Sequence, residues 1–117
     1  MLPKKSKIDR ISFPPHSEKK HIWSGPSLRI YCYPSGSNQK HFAIVVSKKQ
    51  FSSHVEKNRF KRRVSDAILT HKNVFDHVPF AKFVFYPTKS VQFLSNKDIR
   101  ESLIGFLNEY GPQVHIY

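Results

Sequence analysis

The chain has 117 residues, enough for one domain with one core, and 38% of them are hydrophobic, with 10 Phe and 5 Tyr to fill it. Twenty Lys and Arg against eight Asp and Glu give a formal net charge of +12; such an excess costs self-repulsion unless a polyanion neutralises it, so nucleic acid is the first partner class and an anionic membrane surface the second. The single cysteine, Cys32, excludes an internal disulfide and suits a reducing compartment, and no apolar run approaches the ~20 residues of a membrane span.

Residues 1–12 are basic and polar and lack the apolar stretch of a secretory signal, so a cytoplasmic location is expected. One domain spanning 1–117 is expected, with 1–12 and 112–117 as flexible ends. Phe13-Pro14-Pro15 blocks a helix at its start, Ser17–Trp23 has room for a short helical turn, and Gly25-Pro26 punctuates. Leu28–Tyr33 alternates with period two, which predicts a half-buried strand: Leu28, Ile30 and Cys32 face one way, Arg29, Tyr31 and Tyr33 the other. Cys32 therefore reads as a small core residue. Pro34–Asn38 is a turn cluster, which makes the β-branched run His41–Ser47 the antiparallel hairpin partner of that strand.

Lys48–His54 is a basic, serine-rich connection. Beyond it Phe60, Val64, Ala67 and Ile68 recur at i, i+4, i+7 and i+8, one apolar helical stripe. Asn58, Arg59 and Arg62 fall on the opposite face, with Lys61 and Arg63 on the flanks. The helix should fade near His71-Lys72-Asn73, where cations meet the negative end of its dipole. Ala81–Tyr86 is a further strand, ended by Pro87. Ser95 with Asp98 three positions on marks a helix start; Ile99, Leu103, Phe106, Leu107 and Tyr110 form its stripe, and Gly111-Pro112 stops it. Strand, strand, helix, strand, helix after an irregular start predicts an α+β two-layer sandwich with helices on one sheet face.

Between Lys48 and Arg63 the cations Lys48, Lys49, Lys57, Arg59, Lys61, Arg62 and Arg63 face one acid, Glu56, and supply half of the chain's net charge. A solvated helix face usually mixes signs to gain i,i+4 pairs, and this one does not. Arginine adds planar, bidentate phosphate contacts, and Asn58 offers a donor and an acceptor for a base edge or a 2′-hydroxyl. Tyr31 and Tyr33, beside Arg29, are candidates for stacking an unpaired base. The carboxylate cluster of a two-metal nuclease is missing, and spacing alone leaves a His–His acid–base pair as the remaining cleavage chemistry. The eight acids are scattered, with only Asp98 and Glu101 close; His71 and His77 lack the cysteines of a zinc site; and four dispersed glycines make no phosphate loop. Catalytic and metal-ligating residues are therefore expected to be none.

Val46-Ser47-Lys48-Lys49 followed by Lys57-Asn58-Arg59-Phe60-Lys61-Arg62-Arg63 resembles the protein subunit of bacterial ribonuclease P, in which a strand ending Ser-Lys-Lys leads into a helix carrying Arg-Asn-Arg-x-Lys-Arg. The opening Met1-Leu2-Pro3-Lys4-Lys5 and Phe13-Pro14 are similar too. The resemblance implies an α-β-β-β-α-β-α order, ribosomal protein S5 domain 2-like, with a left-handed βαβ crossover around the basic helix. It implies that the catalytic RNA is bound by the helix motif Lys57, Asn58, Arg59, Lys61 and Arg62 with Lys48 and Lys49 at the basic strand end, and the charge pattern adds Arg63. It also implies that a cleft between the first helix and the sheet holds the 5′ leader of precursor tRNA, with Phe13 and Tyr31 matching its aromatics; the strand alternation adds Arg29 and Tyr33 beside them. The RNA would perform the hydrolysis with Mg2+ of its own, and no protein partner is required. The chain departs from the pattern at Lys57, which replaces an arginine, at Phe51, where glycine is common, and at Ser65, where a further cation often stands. A non-enzymatic RNA-binding module, such as a ribosomal or RNA chaperone protein, is the alternative. A DNA-binding helix protein lacks its second helix here.

Overall fold

A computed structural model describes residues 20–34, 40–76, 78 and 80–110, with Tyr110 described in its backbone only. Phe13, Pro14, Pro15, His77, Gly111, Pro112, both expected flexible ends and most of the Pro34–Asn38 turn lie outside the described residues. The elements are strands β1 (His21–Ser24), β2 (Leu28–Tyr33) and β3 (His41–Ile44), helices α1 (His54–Thr70) and α2 (Lys72–Phe75), strand β4 (Lys82–Pro87) and helix α3 (Asn96–Tyr110). Short 3-10 turns at Lys48–Gln50 and Val91–Phe93 precede α1 and α3.

The strand order is β1-β2-β4-β3. β4 runs antiparallel to β2, from Leu28↔Pro87 to Tyr33↔Lys82, and parallel to β3, from His41↔Lys82 to Ile44↔Phe85. The expected hairpin between β2 and β3 is thus corrected, because β4 lies between them. The reason is the composition of β4: Phe83, Val84 and Phe85 are all fully buried, so both faces of this strand are apolar and it belongs in the middle of the sheet. A parallel β3–β4 pair needs a crossover, and α1 and α2 supply it.

The described part of Ser17–Trp23 is a second correction. From His21 it is strand, not helical turn, and it pairs with β2 from His21↔Cys32 to Ser24↔Arg29. Gly25-Pro26-Ser27 closes this hairpin, with the Gly25 N–H donating to the Leu28 carbonyl at 2.8 Å. A Cβ on Gly25 would stand 2.4 Å from the Trp23 ring, so only glycine fits there. Trp23 packs edge-on to Phe106 of α3 and donates to Glu109 at 2.7 Å, fastening this hairpin to the last helix.

Both long helices start as their sequences dictate. The Ser53 hydroxyl accepts from the Glu56 N–H at 3.2 Å, while the Glu56 carboxylate accepts from the Ser52 N–H and hydroxyl. At α3 the bonds are reciprocal: Ser95 N–H to Asp98 Oδ2 at 3.0 Å and Asp98 N–H to Ser95 Oγ at 3.2 Å, a capping box. The N–H groups of Ser52 and Ser95, followed by their hydroxyls, hold the Glu56 and Asp98 carboxyls below their usual range. α1 buries Phe60, Val64 and Ile68, and α3 buries Ile99, Leu103, Phe106 and Leu107, as the stripes predict. They meet one sheet face, where Phe42 stacks on Phe83 at 5.3 Å and Phe75 meets Phe83 edge-on at 5.2 Å. The result is an α+β fold with its helices packed against one face of a four-stranded sheet. No described helix is long and apolar enough to cross a membrane.

Candidate nucleic-acid interface

The helical phase of α1 decides which cations face outward. With Phe60, Val64 and Ile68 anchored in the core, Asn58, Arg59 and Arg62 are exposed together on the far side. Lys61 and Arg63 are half-buried on the flanks. Arg63 is partly committed to the fold: its Nη1 donates to the Leu94 carbonyl at 3.2 Å, tying α1 to the segment that leads into α3. Lys57 is also half-buried, its ammonium 5.2 Å from the centre of the Phe51 ring. Two of the departures from the resembled pattern, Lys57 and Phe51, are therefore in contact, as a cation–π pair. Ser65 is a third departure with a local cause: its side chain is 4% exposed and donates to the Lys61 carbonyl, a site where a charge would be desolvated.

Lys48 and Lys49 are exposed on a braced turn. Gln50 reaches back to accept from Ser47 and donates to the Pro87 carbonyl at 2.8 Å, which pins this turn to the end of β4. The Arg29–Tyr86 pair stands at the same end of the sheet.

The outer sheet face, opposite the helices, carries the second predicted cluster. Arg29 is exposed and its Nε donates to Ser24 at 3.1 Å. Tyr31 is half-buried, with the Lys20 ammonium 5.6 Å from its ring centre. Tyr86 lies 4.9 Å from Tyr31, and burial, then the neighbouring Tyr31, raises its phenol pKa. The sequence reading missed Tyr86 and Lys20; the alternation Lys82, Val84, Tyr86 carried the signal for the former, once β4 is paired with β2. Tyr33 is a correction. Alternation places it beside Tyr31, but it is 3% exposed, and Val84 on the same face is fully buried. Tyr33 therefore presents little ring surface for stacking, whereas Tyr31 beside it is only half-buried. Phe13 lies outside the described residues.

Cys32 is buried in the core and its thiol is pushed up to about 12 by that burial. No group of three or more His, Cys, Asp or Glu able to hold a metal ion occurs among the described residues.

A family model described as Ribonuclease P matches residues 2–111. The chain is 30% identical over 94 residues to the ribonuclease P protein component of Vibrio cholerae, covering 77% of each chain. It is 30% identical over 83 residues to that of Aliivibrio fischeri, covering 71% of this chain and 68% of the relative. Among solved structures, the RNase P protein of Staphylococcus aureus superposes with a TM-score of 0.66 at 22% identity, over 94% of this chain and 93% of the other. That of Thermotoga maritima gives 0.65 at 20% identity, over 78% and 84%.

Proposed function

The chain belongs to the ribonuclease P protein family, a component of a tRNA-processing ribonucleoprotein, and on that premise we propose that it binds the ribonuclease P RNA through the outward face of α1 and the 5′ leader of precursor tRNA on the outer sheet face. The observation that carries this reading is the placement of Asn58, Arg59 and Arg62 on one exposed helix face whose opposite side is locked into the core. Arginines carried on a fixed helix face can take phosphates bidentately through their planar guanidinium groups. Lys48 and Lys49 extend the cationic track toward the sheet end that holds Arg29, Tyr31 and Tyr86, where a leader nucleotide would stack.

In this reading the protein contributes charge and position, and the RNA contributes the hydrolysis. The described residues bring no cluster of carboxylates together to hold a pair of ions, so the Mg2+ needed for the reaction would sit on RNA phosphates. Binding of a leader would then lower repulsion between the two RNAs. The β3–α1–β4 crossover would have the left hand of the family and the ribosomal-protein-like grouping that goes with it. The chain would act as a single domain in the cytoplasm.

The test is cleavage of precursor tRNA by a ribonuclease P RNA at low magnesium, with and without the chain. Stimulation that is larger for a substrate with a 5′ leader of several nucleotides than for one with a single-nucleotide leader supports the proposal. Equal stimulation of both would point to a general RNA-binding module instead.

A further inference from the structure

α1 and the start of α3 diverge around a groove of about 380 Å3. Arg59, Arg62 and Arg63 line its α1 side, and Asn96 and Arg100, one turn apart, line its α3 side. Nothing in the α3 sequence marks these two residues; they join the basic motif only because α3 packs beside α1. Arg59, Arg62 and Arg100 are exposed, and none of their side chains makes an ion pair or hydrogen bond among the described residues. Arg63 is held between the helices by its bond to the Leu94 carbonyl, which leaves its remaining N–H groups for a ligand. Asp66 is the one acid on the lining. Four guanidinium groups against one carboxylate leave the concavity cationic, and walls of low dielectric focus that field.

The groove does not end there. A concavity of about 180 Å3 shares Arg59 and Arg63 with it and adds Gln92 and a second acid, Glu56, and a third of about 230 Å3 shares Gln92 and reaches Lys49. The three form one track from the first turn of α3, across α1, to the braced Lys48–Gln50 turn.

We propose that the α1–α3 groove seats a backbone phosphate of the bound RNA, with Arg100 and Asn96 closing on it from the side opposite Arg59 and Arg62, and that the strand runs on past Gln92 to Lys49. Arg100 is the residue that α3 contributes to recognition, and Asn96 donates to a phosphate oxygen or a ribose hydroxyl beside it. This rests on the reading that α1 binds ribonuclease P RNA, and it makes α3 part of that interface.

Equilibrium binding of the full chain to a ribonuclease P RNA across a salt series tests it. Arg100→Gln should flatten the log-log salt dependence by about 0.7–0.9, the loss of one phosphate contact. Lys97→Gln is the control for charge alone, since Lys97 is 80% exposed and pairs with Glu101 on the solvent side. It should flatten the slope by less than half as much. Asp66→Asn should tighten binding. If the unmutated chain binds with a steep slope but Arg100→Gln and Lys97→Gln behave alike, or Asp66→Asn weakens binding, the groove proposal is overturned and the α1 reading stands. If the unmutated chain does not bind the RNA, both fall.

Discussion

Arg59 illustrates how a helix sets the direction of a single side chain. Phe60 beside it is buried and fixes the rotation of α1, so Arg59 points to solvent without searching for an orientation. Replacing Arg59 with Ala should weaken binding to ribonuclease P RNA by about 1–3 kcal/mol, with no loss of thermal stability. A change within error would leave Arg59 as a solvated surface residue. Lys57 differs because its ammonium is already engaged over Phe51. Asn58, Arg59 and Arg62 were legible in the sequence because helical period alone sets their direction. The Arg63–Leu94 bond, the Lys57–Phe51 pair and the burial of Tyr33 were not, because each depends on a neighbour brought in by the fold. Cys32 gives a residue-scale prediction about pH. Its folded pKa is raised to about 12 by burial, so the thiol keeps its proton where an unfolded chain would lose it. The stabilisation is complete below about pH 8.5, the ordinary thiol value, and is lost as pH rises from there through the folded value. Alkylation of Cys32 at pH 8 should therefore follow global unfolding and be negligible in native protein; rapid alkylation of the native chain would contradict a core placement.

At the scale of elements, the contact between the β1–β2 hairpin and α3 matters most for stability. Trp23 is clamped between Gly25, Phe106 and Glu109. Gly25→Ala would force the indole out of that place and should cost about 1–3 kcal/mol, as overpacking does. Gly105 faces the same ring from α3, but there a Cβ would stand at 3.4 Å, an ordinary contact. Gly105→Ala should therefore gain about 0.5–1 kcal/mol from helix propensity. Urea unfolding of the two variants checks both; equal effects would mean that Trp23 is not the clamp. The helices were the legible elements, since caps such as Ser95 with Asp98 and stripes such as Phe60–Val64–Ile68 are written locally. The sheet was legible only in part. β2 showed its alternation, but β1 is four residues with no periodicity to read, and its identity as a strand comes from pairing with β2. The place of β4 between β2 and β3 was available in the run Phe83-Val84-Phe85, where no polar residue interrupts; the turn at Pro34–Asn38 argued more loudly for a simple hairpin.

For the whole molecule, the charge of +12 and the fold explain each other. A sheet core rich in Phe needs no charged residue inside it, so the cations are distributed over surfaces, and α1 concentrates them on one. The two candidate surfaces lie on opposite sides of the sheet, helix face and outer face, with the Lys48–Gln50 turn pinned at the sheet end that both share. On the proposed function, such an arrangement would let one small protein touch two RNA segments at once, which a flat basic patch would not. The most direct measurement is the affinity of the chain for a ribonuclease P RNA as a function of salt, beside the double variant Arg59→Ala, Arg62→Ala. With about six phosphate contacts the log-log slope should be roughly −4 to −5, and the double variant should be less steep by about 1.5–2. A salt-independent affinity, or the same slope with both arginines removed, would contradict the assignment of α1 as the RNA-binding surface.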